Sequence, residues 1–141
     1  STNKGTPPAP IHKVASGGEL ARFMLALKVN LATADEAETL VFDEVDSGVG
    51  GATAAAVGER LRQLAGTHQV LVVTHSPQVA AYGQVHMTVS KEESESQMLT
   101  RVRGLTDLDK TDEIARMLSG ACITAAARTM AKELVESCSK K

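Results

Sequence analysis

Asp43 and Glu44 stand side by side at the end of a short run of strand-forming residues, Thr39–Phe42. Carboxylates at the C-terminal end of a buried parallel strand sit where open α/β sheets bind their ligands. A second apolar run, Gln69–Thr74, ends at His75, which places an imidazole at the same sheet edge. A third group, Ser16-Gly17-Gly18-Glu19, opens a helical pattern. There the free N–H groups and the positive end of the helix dipole suit an anion such as phosphate. The glycines let a ligand approach the backbone, and Ser16 supplies a hydroxyl. Each residue also has a plain structural use. Asp43 and Glu44 can cap a turn, Ser16 can cap a helix, and a histidine after a strand is commonly structural. The shared edge is what favours chemistry.

The elements that must position these groups follow from periodicity. Leu20, Phe23, Met24, Leu27 and Leu31 recur at helical spacing as one apolar stripe. Thr39–Phe42 reads as a fully buried parallel strand, bounded behind by Asp46-Ser47-Gly48 and Gly50-Gly51. A helix is predicted from Gly50 to about Ala65, with Val57, Leu61, Leu64 and Ala65 on one face and Gly66 as C-cap. Strand, helix and strand from Thr39 to Thr74 have the spacing of one βαβ unit. A short helix is expected over Gln78–Tyr82. Val85, Met87 and Val89, then Met98, Thr100 and Val102, alternate as two half-buried strands of an antiparallel hairpin around Lys91–Ser96. Arg101 and Arg103 share a solvated face of it. Helices are predicted at Thr111–Ser119, with Gly120 after it, and from Thr124 to about Ser137, with Met130 and Leu134 buried. Residues 1–11, rich in Pro, Ser, Thr and Gly, read as an extended lead-in. Ala34–Glu38 reads as an acidic loop.

Composition narrows the class. A chain of 141 residues is about one domain and can bury a core. Two Phe, one Tyr and no Trp leave that core to aliphatic residues. A net charge of −2 gives no general attraction to nucleic acid. No apolar run approaches the ~20 residues of a membrane span. The two cysteines, Cys122 and Cys138, lack metal-ligand spacing and suit a reducing, cytosolic compartment.

The order of the three groups resembles the C-terminal half of an ABC-type ATPase head, as in SMC proteins and ABC transporters. Five stretches resemble the RecN family of bacterial SMC-like DNA repair proteins more closely still: Val14–Leu27, Leu40–Gly51, Val70–Ala81, Thr100–Leu105 and Glu113–Gly120. The fold class this implies is α/β, the C-terminal half of an ABC/SMC-type P-loop ATPase head. A parallel sheet core would carry helices on both faces, plus an antiparallel hairpin. Residues 12–141 would form that part of the head. The resemblance implies ATP and Mg²⁺ as cofactors. Asp43 resembles the Walker B aspartate that holds the metal, as a hard cation bridging phosphates requires. Glu44 resembles the residue that orients and deprotonates the attacking water. His75 resembles the switch histidine that donates to the γ-phosphate. Ser16, Gly17, Gly18 and Glu19 resemble the signature motif, which serves the ATP site of the opposite head. Asp46–Gly50, with Asp46, Ser47 and Gly48 at its start, resembles the D-loop, which crosses that dimer interface.

Three departures qualify the resemblance. Ala15 stands where ABC proteins often have Leu, and Gly50 stands where SMC heads often have Asp. No G-x-x-x-x-G-K-[ST] occurs, so the backbone cradle and lysine of a P-loop are absent from these residues. The chain is therefore expected to be a fragment of a head or one half of a split one. The implied partners are the P-loop half of the same head, a second head in an ATP-dependent dimer, and DNA through the complete protein, with no membrane. The implied setting is the bacterial cytoplasm, at the nucleoid. Two other classes fit the motifs less well. One is a transporter-type nucleotide-binding domain; the other is a non-catalytic interaction module without a P-loop.

Overall fold

The structure is a computed structural model that describes residues 10, 15–31, 39–94, 97–120 and 122–139. Most of the lead-in expected at 1–11, the acidic loop at 34–38 and the hairpin tip at 95–96 lie outside the described residues. The elements are α1 (Gly17–Leu31), β1 (Thr39–Asp43), α2 (Gly51–Leu64), β2 (Gln69–Val73), α3 (Pro77–Ala80), β3 (Met87–Ser94), β4 (Gln97–Gly104), α4 (Asp107–Ser119) and α5 (Ala125–Ser139). The chain divides into two compact units, Ser1–Val79 and Ala80–Lys141. The architecture is mixed α/β, with one parallel pair and one antiparallel hairpin.

In the first unit β1 and β2 pair in parallel, Thr39 against Gln69 through Asp43 against Val73. Alternation then sorts the side chains. Leu40, Phe42, Val70 and Val72 turn to the core, where Leu25 of α1 and Val57, Leu61 and Leu64 of α2 meet them. Val41, Leu71 and Val73 turn the other way and stay exposed, Val41 at 66% and Val73 at 61%. The expectation of a fully buried sheet with helices on both faces is corrected accordingly. Among the described residues the sheet has two strands, one covered face and one open face.

The stripe expected on α1 is corrected too. Leu20, Phe23, Met24 and Leu27 are 37–49% exposed. The packed face is Gly18, Ala21, Leu25 and Val29, which recur with the same helical period. Apolar residues surround most of α1, so periodicity alone offers two stripes. Packing selects the one whose small residues allow close approach.

α2 begins behind Gly50, as expected, but its C-cap is Ala65, in ordinary right-handed backbone, not Gly66, and Ala65 is exposed there instead of sharing the packed face. α3 runs Pro77–Ala80, earlier and shorter than the Gln78–Tyr82 expected, with proline in the first turn where its missing N–H costs nothing.

In the second unit α4 and α5 pack through Ile114 and Ala115 against Ala127, Ala131 and Cys138, with Ala81 and Tyr82 joining. Met130 is 58% exposed, against the expectation that it is buried. The packed stripe runs Ala127, Ala131, Leu134, Val135 and Cys138, and Met130 lies beside it. α4 starts a turn before the expected Thr111. Thr106 accepts from the Asp109 N–H at 3.3 Å, and the Asp109 carboxylate accepts from the Thr106 N–H at 3.3 Å. This reciprocal capping box fixes the helix start. Gly120 closes the helix at φ 77°, which only glycine adopts without strain.

The hairpin pairs Met87 with Gly104 through Ser94 with Gln97. Its strands run longer than the alternation suggested, through Lys91–Ser94. They are not half-buried. β4 is exposed along its whole length, and Met87, Val89, Met98 and Val102 form an uncovered apolar face. On the opposite face Arg101 pairs with Glu92 at 2.5 Å, while Arg103 reaches Asp109 at 3.6 Å. Exposed pairs of this kind contribute little to stability.

Candidate functional site

The parallel register decides the geometry. Asp43 lies across from Val73. Glu44 and His75 therefore leave the sheet at the same C-terminal edge as Asp43. All three side chains are exposed. None has a hydrogen-bond or ion-pair partner among the described residues, so the oxygens and the imidazole are open to a ligand.

A tight turn follows β1. Glu44 has φ 56°, the left-handed region, and its carbonyl accepts from the Ser47 N–H at 2.9 Å. A non-glycine residue held there costs about 1–3 kcal/mol. The turn sends two consecutive residues inward after Glu44. Val45 is fully buried in the core and Asp46 is 2% exposed, while Glu44 projects to solvent.

The start of α1 sits against this turn. Ser16 accepts from the Glu19 N–H at 3.3 Å, and Glu19 accepts from the Ser16 N–H at 2.8 Å. That is a capping box, so the structural use of Ser16 is realised. The Ser16 backbone N–H, and then its hydroxyl, hold the Glu19 carboxyl below its ordinary range. A Cβ on Gly17 would lie 3.5 Å from the Glu44 carboxylate. A Cβ on Gly18 would lie 2.9 Å from the Ser47 carbonyl oxygen and 3.1 Å from that of Glu44. Gly18 is thus required by close approach to backbone.

Three residues complete the arrangement and were not singled out from sequence. Arg22 donates from Nη1 to the Ser47 carbonyl at 2.8 Å and the Val45 carbonyl at 3.2 Å. Thr74 donates its hydroxyl to Asp46 Oδ2, which also accepts from the Ser76 N–H at 3.2 Å. The available signal for Arg22 was its place four residues after Gly18, a cation interrupting an apolar helical pattern. Thr74 and Ser76 flank His75, but nothing in sequence pairs them with Asp46.

Ser47 is half-buried and Gly48, at φ 72°, is exposed in the loop leading to α2. An open groove of about 420 Å³ runs between α1 and β1, with Leu20, Met24 and Val41 among its walls and Asp43 at its lining. Its walls are mainly apolar, so it suits apolar side chains better than phosphate.

The exposed Asp43 carboxylate, without a partner among the described residues, fits Mg²⁺ chemistry. No group of three or more His, Cys, Asp or Glu is arranged to hold a metal among the described residues. Magnesium keeps several waters and commonly takes one or two carboxylates plus substrate phosphates. No helix among the described residues is long and apolar enough to cross a membrane.

Fold and edge together define a mixed α/β chain with acidic and imidazole groups at one end of a parallel strand pair. No family model matches the chain. Among curated proteins it is 46% identical over 135 residues to the DNA repair protein RecN of Rickettsia bellii. It is 45% identical over 136 residues to that of Halalkalibacterium halodurans and 48% identical over 140 residues to that of Mycobacterium leprae. These matches cover 96–99% of this chain. The chain is a homologue of the proteins named DNA repair protein RecN, and it spans about a quarter of the length of the curated relatives it matches. The resemblance read from the five sequence stretches is borne out.

Proposed function

We propose that the chain is the C-terminal half of an SMC-like ATPase head, whose P-loop half lies outside these 141 residues. Together the halves bind and hydrolyse ATP between paired heads, in the repair of DNA double-strand breaks by recombination. The observation that carries this reading is the convergence of Asp43, Glu44 and His75 at one strand edge, with the Ser16–Glu19 helix start against Glu44. The relatives, all named for DNA repair, support the biological setting.

In this reading Asp43 would hold Mg²⁺, Glu44 would orient the attacking water and take its proton, and His75 would donate to the γ-phosphate. The metal would supply charge neutralisation across the phosphates. Ser16, Gly17 and Gly18 face the nucleotide of the opposite head, with Glu19 fixing their helix start through the capping box. Ser47 and Gly48 lie toward the paired head, while Asp46 turns inward. The 141 residues alone have no P-loop and are expected to show no magnesium-dependent ATP turnover. In the full-length protein Glu44→Gln keeps the shape and loses the base. ATP binding should persist while turnover falls by roughly 10²–10⁴-fold. Wild-type turnover in that variant, or turnover by the 141 residues alone, would overturn the reading.

A further inference from the structure

Asp46 is the buried charge whose presence packing does not explain. It is 2% exposed, its Oδ2 accepts two hydrogen bonds, and its Oδ1 has no partner among the described residues. An apolar residue of similar size would avoid an unsatisfied buried oxygen, so stability alone does not call for a carboxylate there. What the carboxylate does hold is specific. Its two donors, the Thr74 hydroxyl and the Ser76 N–H, come from the residues on either side of His75. The Ser76 N–H is shared with Thr74 Oγ1 at 2.9 Å. The three bonds close a ring that contains the His75 backbone, and Asp46 enters it from the turn that carries Glu44.

We propose that Asp46 is a positioning residue that sets His75 relative to Glu44. This rests on the ATPase reading above. Thr74 spends its one hydroxyl proton on Asp46, which leaves its lone pairs free to accept from Ser76. The bonds to a carboxylate are charge-assisted and stronger than neutral ones. They hold the backbone on both sides of His75, so the imidazole leaves a fixed base while its side chain stays exposed. Misplacement of a reacting group by about 1 Å can cost on the order of 10²-fold in rate.

The test uses ATP turnover by the full-length protein. Asp46→Asn keeps the shape and removes the charge, and should lower kcat about 10-fold with KM for ATP within about two-fold. Thr74→Val should do the same, and Thr74→Ser should recover most of the rate lost by Thr74→Val. The deciding measurement is a double-mutant cycle with His75→Ala. If Asp46 acts through His75, Asp46→Asn should cost almost nothing in the His75→Ala background. Additive losses in the cycle, or wild-type kcat in both Asp46→Asn and Thr74→Val, would overturn the assignment. If Asp46→Asn fails to fold, the Thr74→Val, Thr74→Ser and His75→Ala set carries the same cycle. Unchanged turnover in Glu44→Gln would bring down the ATPase reading itself. Turnover lost in Glu44→Gln and His75→Ala, with additive losses at Asp46, would bring down this inference alone.

Discussion

Arg22 Nη1 lies 2.8 Å from the carbonyl oxygen of Ser47, so a side chain from α1 holds the turn that follows β1. The same nitrogen reaches the Val45 carbonyl at 3.2 Å. Replacing Arg22 by Met keeps the packing of the stem and leaves both carbonyls without this donor. Destabilisation of about 1–3 kcal/mol is expected, read as a lower urea midpoint at unchanged slope. Arg22→Lys should recover only part of it, because an ammonium is a point donor on a flexible stem. Equal stability in all three proteins would show that the contact contributes nothing.

Glu44 carries its left-handed backbone at a cost to the fold. Glu44→Gly removes that strain and adds some unfolded-state entropy. The balance of the two should raise stability by up to about 1 kcal/mol while the proposed turnover is lost. The check is paired denaturation and ATPase measurement on the full-length protein. A less stable variant would mean that the Glu44 side chain supports the turn more than its φ strains it.

Ser16 caps α1 and, in the proposed reading, faces the nucleotide of a second head. Ser16→Ala should cost about 1 kcal/mol of stability through the lost cap. Ser16→Arg in the full-length protein should leave ATP binding by a single head intact and abolish ATP-driven pairing of heads, measured by sedimentation. Collapse of single-head nucleotide affinity would place Ser16 on its own head's nucleotide instead.

His86 makes the second unit sensitive to acid. Burial pushes its pKa below the ordinary 6.5; the Ala80 carbonyl at 2.7 Å opposes that, and the Lys110 charge adds to it. The folded state therefore binds fewer protons than the unfolded chain below pH ~6.5. Stability from this group is fully present above the unfolded value and is lost as pH falls toward the depressed folded value. Urea midpoints followed from pH 7.5 down to 5 should decline, and His86→Gln should flatten the decline. An unchanged slope in His86→Gln would assign the pH dependence to other groups.

The open sheet face bears on handling of the 141 residues. β2 pairs with β1 on one side and with nothing on the other among the described residues, and Val41, Leu71 and Val73 are exposed beside that edge. Apolar strand edges recruit other strands. The isolated chain should associate or aggregate, and Leu71→Lys should reduce that, as read by light scattering. A monodisperse monomer without the substitution would show that the edge tolerates exposure.

Local chemistry made much of this protein legible from sequence. The apolar runs ending at Asp43 and His75, the glycine-led start of α1 and the interval between the strands were enough to place a βαβ unit. They also put three candidate groups at one edge, because strand period and chain reach are local properties. The same holds for Gly120, whose position past a helical pattern needs no neighbours to interpret. Capping boxes are local as well, and Thr106 with Asp109 is such a signal, its cap residue five positions before the predicted helix start at Thr111. What sequence left open depended on which surfaces find each other. α1 carries apolar residues on most of its circumference, and only packing chose Leu25 over Leu20 and Met24. The strand runs suited burial on both faces, but only the assembled unit showed Val41 and Val73 uncovered. Arg22 on the Ser47 carbonyl and Asp46 on the two flanks of His75 join residues 25 and 30 apart at their widest. Such pairs cannot be read from spacing, since a hydrogen bond depends on where the backbone places donor and acceptor, and that is decided by the core beneath them.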